Sequence, residues 1–73
     1  MAILKTKFYI CQRDQAAPRY RVMTEHGGFK TETAAFARMY RTGADGNQER
    51  LPEFTRCTVN SGRYIRMMEH FYE

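Results

Sequence analysis

The sequence predicts a small α+β domain with the order β-β-α-β and an amphipathic helix at the C-terminal end. Three observations carry this expectation. Apolar residues alternate with a period of two near the start, they recur at helical spacing in two later stretches, and short runs of Gly, Pro, Asn and Asp separate the segments. A chain of 73 residues holds one core, so a single domain over 1–73 is expected.

From Ile3 to Gln12, Leu4, Thr6, Phe8, Ile10 and Gln12 share one face, while Ile3, Lys5, Lys7, Tyr9 and Cys11 share the other. That is the pattern of a half-buried strand, with Leu4, Phe8 and Ile10 expected inside. A polar turn is expected from Asp14 to Pro18. Arg19 to Glu25 then alternates again, with Tyr20 and Val22 opposed to Arg19, Arg21 and Met23. Pro18 has no N–H for a ladder and suits a turn or the start of an edge strand. Pairing the two runs as an antiparallel hairpin gives a solvent face bearing Lys5, Lys7, Arg19 and Arg21 around Tyr9.

Thr31 followed by Glu32 reads as a helix N-cap with a favourable first-turn acid. The stripe of Phe36, Met39 and Tyr40, backed by Ala35, extends the expected helix from Glu32 to Thr42, and Gly43 is its stop. Residues 43–53 carry two Gly and a Pro, which predicts a surface loop with Leu51 returning to the core. Phe54 to Val59 is the third expected strand, with Cys57 and Val59 on one side. For 63–72 the helical stripe of Tyr64, Ile65, Met68, Phe71 and Tyr72, capped by Ser61, is preferred; the alternative is a fourth strand after a turn at 60–62.

The chain has 12 Lys and Arg against 8 Asp and Glu, and the whole excess lies in residues 1–21, where Lys5, Lys7, Arg13, Arg19 and Arg21 face Asp14 alone. Nine of the twelve cations are Arg, whose planar fork pairs bidentately with carboxylate or phosphate and so suits a contact surface. No apolar stretch approaches the roughly 20 residues of a membrane span. Lys5 and Lys7 interrupt what would be the apolar part of a signal peptide, so a cytoplasmic protein with reduced thiols is expected.

Enzymatic and metal chemistry find little footing. Cys11, His26, Cys57 and His70 lack the close spacing of a zinc site. Cys57 with His70 is the minimum apparatus for a thiol nucleophile, but Cys57 shares its strand side with apolar Val59. Glu49 and Glu53 lie in the loop as solvated acids. Gly27 and Gly28 lack the spacing of a phosphate loop, and a turn needing positive φ explains them better. Asp45, Asn47 and Glu49 open like a calcium loop, yet Arg56 stands where its bidentate acid belongs. No catalytic residue, metal or cofactor is expected.

Two surfaces remain. The basic hairpin face, Lys5, Lys7, Tyr9, Arg13, Arg19 and Arg21, mixes cations with an aromatic and can meet an acidic protein surface or track phosphates. The segment Arg63 to Glu73 is rich in Met and aromatics (Tyr64, Met67, Met68, Phe71, Tyr72), which fill irregular cores more often than they line partner grooves.

With its start MAILKTKFYI, its length of 73 residues, its basic first strand and its β-β-α-β order, the chain resembles small bacteriophage proteins that redirect a host machine. Within that class it is most similar to short regulators of host RNA polymerase, transcription inhibitors and antiterminators of the kind made by a Xanthomonas-infecting phage. The resemblance carries no functional residue across. It implies a non-enzymatic protein that docks on bacterial RNA polymerase, interferes with sigma factor or promoter engagement, and supports antitermination; separately, the chain is expected to be monomeric when free. The alternatives are a module binding RNA or single-stranded DNA through the basic face, and an anti-CRISPR protein.

Overall fold

The computed structural model describes residues 2–15 and 18–73. Met1, Ala16 and Ala17 lie outside them, and with them the middle of the turn expected between Asp14 and Pro18. The architecture is α+β, as the alternation predicts. β1 (Phe8–Arg13), β2 (Tyr20–Val22), β5 (Cys57–Ser61) and β6 (Phe71–Tyr72) form one sheet in the order β5-β1-β2-β6. β3 (Tyr40–Thr42) and β4 (Gln48–Arg50) form a separate ribbon, and α1 (Glu32–Met39) and α2 (Gly62–Met67) complete the chain.

The expected β1–β2 hairpin is present, with Cys11 opposite Val22, Gln12 opposite Arg21 and Arg13 opposite Tyr20. β5 runs antiparallel along the other side of β1, from Phe8 opposite Ser61 to Gln12 opposite Cys57. β1 is therefore inside the sheet, and both its faces are covered. Ile10 packs with Met23, Ala35, Met39, Phe54 and Cys57 under α1. On the opposite face Tyr9 and Cys11 pack with Ile3, Val22 and Ile65 under α2. The half-buried strand becomes a fully buried one, because the second helix covers the face that the alternation assigned to water.

The N-terminal expectation needs correcting in two respects. The strand starts at Phe8, because the chain turns at 5–6 and Lys7 N–H donates to Leu4 O at 3.2 Å. That turn breaks the period of two, so Ile3 is buried and Leu4 is 47% exposed.

Thr31 caps α1 as expected, its hydroxyl accepting from Ala34 N–H at 3.1 Å. The helix stops at Met39 and not at Thr42, because Tyr40 turns extended and starts the ribbon. Residues 43–53 are consequently not an irregular loop. Gly43 N–H donates to Asn47 O at 2.7 Å, Gly46 supplies a positive φ, β4 follows, and Leu51 packs against the core before Pro52–Phe54 forms a short 3-10 turn.

At the C-terminal end the preferred helix forms but is shorter than 63–72, and in place of a strand after a turn at 60–62 a short strand follows the helix. Ser61 caps α2 by accepting from Tyr64 N–H at 3.1 Å. The helix ends at Met67, and Phe71–Tyr72 then joins β2 as a short parallel strand, with Phe71 stacked on Tyr20 at 5.1 Å between ring centroids. Among the described residues no helix is long and apolar enough to cross a membrane.

Candidate functional site

The hairpin register divides the expected basic face. Gln12 opposite Arg21 places Arg21 on the α1 side of the sheet, whereas Tyr9 and Arg13 alternate onto the α2 side. Lys5 and Lys7 precede β1 and Arg13 ends it, so the strand's length, roughly 17–20 Å, separates the lysines from the arginines. Tyr9 is only 1% exposed, its hydroxyl accepts from Leu4 N–H at 2.9 Å, and it serves as a core anchor instead of a contact on a solvent face.

Arg13, Arg19 and Arg21 stay together at the turn end of the hairpin. Asp14 N–H donates to Arg19 O at 2.9 Å and brings the strand ends together. Arg21 forks onto both oxygens of Glu25 at 3.1 Å each, which raises the Arg21 pKa and holds the Glu25 carboxyl below its usual range. The Arg19 guanidinium lies 4.3 Å from the centre of the Tyr72 ring. Tyr72 in turn donates its hydroxyl to Asp14 Oδ2 at 2.8 Å, and that bond pushes the phenol pKa up.

A fourth arginine joins them. Arg13 N–H donates to Arg56 O at 3.1 Å, one bond past the last β1–β5 pair, and Arg56 holds a left-handed backbone with φ 61°. Two shallow grooves flank this pair. One, about 490 Å³, is lined by Gln12, Arg21, Thr55 and Tyr72; the other, about 520 Å³, by Tyr20, Cys57 and Thr58. Arg13, Asp14, Gln15 and Arg56 line both and form the wall between them.

The sequence matches no known protein family, and neither a curated protein nor a solved structure is significantly similar to the chain. The geometry therefore carries the functional argument. Among the described residues no three His, Cys, Asp or Glu side chains gather as metal ligands. Cys57 contacts the Met23 sulfur at 3.6 Å on the α1 side, while His70 lies against Tyr20 and Phe71, so thiol and imidazole do not form a pair. Burial pushes the Cys57 thiol pKa up and the Cys11 thiol to about 11, the opposite of activation.

Gly27 has φ 77°, as a turn requires, while Gly28 lets the Lys7 chain and the Tyr9 ring approach closely. Asp45 accepts from the backbone and side-chain nitrogens of Asn47 at 3.0 and 3.1 Å, which stabilises the ribbon turn and lowers the Asp45 pKa. A further apolar groove of about 400 Å³ lies between Phe36 and Ala37 of α1 and Tyr40 and Gln48 of the ribbon. The Met and aromatic segment divides: Ile65 is buried and Phe71 packs on the core, while Tyr64 and Met67 remain exposed beside Arg63 and Arg66.

Arg56 is the residue that sequence reasoning missed. Its link to Arg13 follows only from the register of β1 on β5, and that register depends on where each strand starts.

Proposed function

We propose that the protein is a non-enzymatic binding protein, acting in the cytoplasm of a bacterial cell, that docks on an acidic surface of RNA polymerase and inhibits or redirects transcription. The observation that carries the binding reading is the gathering of Arg13, Arg19, Arg21 and Arg56 at one end of the sheet. Arginines clustered on a rigid edge steer an acidic partner during encounter and fix its register once docked. The choice of polymerase as the partner rests on the resemblance to phage regulators.

A second reading, binding to RNA or single-stranded DNA, is favoured by one observation. Tyr64 is 42% exposed and stands between Arg63 and Arg66 on α2, a small combination of stacking ring and cations. An anti-CRISPR role uses the same arginine end on a different protein.

Tagged protein incubated with bacterial lysate is expected to retain core polymerase subunits, and the Arg13→Glu, Arg19→Glu double variant to lose them. Retention of CRISPR effector subunits in their place, or a mobility shift of generic RNA at low micromolar protein without polymerase capture, overturns the reading.

A further inference from the structure

We propose that Arg13 and Arg56 form a two-armed receptor for carboxylates on an extended acidic peptide segment, with Arg56 as the residue that sets its specificity. The proposal rests on reading the arginine end as the docking surface, and it names the chemistry recognised there.

Arg13 at the end of β1 and Arg56 in the turn before β5 are joined by the backbone bond at 3.1 Å and line the same two grooves, so their like charges repel one another. The ion pairs found among the described residues join Arg21 to Glu25 and Arg41 to Glu49, and neither Arg13 nor Arg56 enters them. An incoming carboxylate that both forks can grip removes that repulsion. Arg56 also adopts a backbone conformation that Gly or Asn enters more easily, so a long cation is held at a position where folding alone favours a shorter residue. The side chains share the wall between two grooves, and the polar residues Gln12, Thr55 and Thr58 line the grooves on either side.

A carboxylate fits this end better than a nucleic acid. The rings here are already engaged, Tyr72 under Arg19 and Tyr20 against Phe71, so no open stacking platform is offered.

The test is fluorescence anisotropy with a labelled peptide of alternating Glu and Gly, its Gln counterpart, and an oligothymidylate of equal charge. The protein is expected to bind the Glu peptide in preference to both others, more weakly as salt rises. Arg56→Asn keeps the left-handed backbone accessible and removes the fork, so it is expected to weaken binding about tenfold or more while its thermal midpoint stays level or rises. Arg56→Lys is expected to fall between, since charge remains and bidentate geometry does not. Arg13→Gln, on the end of β1, is expected to weaken binding similarly and serves where the Arg56 variants fold poorly.

Unchanged affinity in Arg56→Asn or Arg13→Gln overturns the proposal, as does tighter binding of the oligothymidylate. Peptide binding with no capture of polymerase overturns the polymerase reading alone. Capture of polymerase with no binding of the Glu peptide overturns this site alone.

Discussion

Tyr72 donates its hydroxyl to Asp14 Oδ2 at 2.8 Å, which ties the last strand of the sheet to the end of the first. β6 has only two residues and pairs with β2 alone, so this bond and the Tyr20–Phe71 stack hold the C-terminal segment in place. Tyr72→Phe keeps a ring beneath Arg19 and removes the bond. Faster amide exchange is expected at positions 71 and 72 of that variant, with little change at Ile10 in the centre of β1.

Alkaline pH is expected to destabilise the fold. The Cys11 thiol, pushed up to about 11 by burial, the Cys57 thiol and the Tyr72 phenol all have folded-state pKa values above their ordinary ones. Each contributes stability that is complete below its ordinary value and is lost as pH rises through the folded-state value. The urea midpoint should therefore hold between pH 6 and pH 8 and fall above about pH 9. Cys11 supplies at most about 3 kcal/mol of that loss. Cys11→Ala should flatten the alkaline limb, and a decline beginning below pH 8 would contradict the assignment.

Gly62→Ala introduces the better helix former and is nevertheless expected to destabilise. A methyl group there collides with the carbonyl oxygen of Leu4, where the N-terminal segment crosses the start of α2. The expected loss is about 2 kcal/mol, measured by urea unfolding, against a gain of about 1 kcal/mol from helix propensity alone.

The two N-caps should differ in consequence. Thr31→Ala and Ser61→Ala each remove one hydrogen bond of 3.1 Å to the helix and should each cost about 1 kcal/mol. α2 has six residues against eight in α1, so Ser61→Ala is expected to fray its helix the more, seen as a larger relative loss of protection over 62–67.

The sequence carried the parts of the fold that rest on local chemistry. Alternation identified β1 and β2, and Thr31 and Ser61 marked both helix starts. What it did not carry depended on neighbours. Tyr9 and Lys7 lie on the same side of β1 by parity, but only the packing of α2 on that side decides that Tyr9 is core. Tyr40 continues the helical stripe in sequence, yet pairing with Arg50 draws it into a strand. For the candidate site, Arg13, Arg19 and Arg21 could be found from the charge imbalance. Arg56 could not, because it lies in a charge-balanced region and meets Arg13 only through long-range pairing.

The inner place of β1 also governs when the chain can fold during synthesis. Its partner β5 and the helix α2 that covers its Tyr9 face are both made well after it, so β1 waits for them before its second edge is paired and that face is covered. A nascent chain that has passed only through α1 holds a strand with Tyr9 and Cys11 uncovered and only part of the core around Ile10. Folding should accordingly follow synthesis in a single late step, and an early stop in translation leaves a fragment for proteolysis in place of a partly working module.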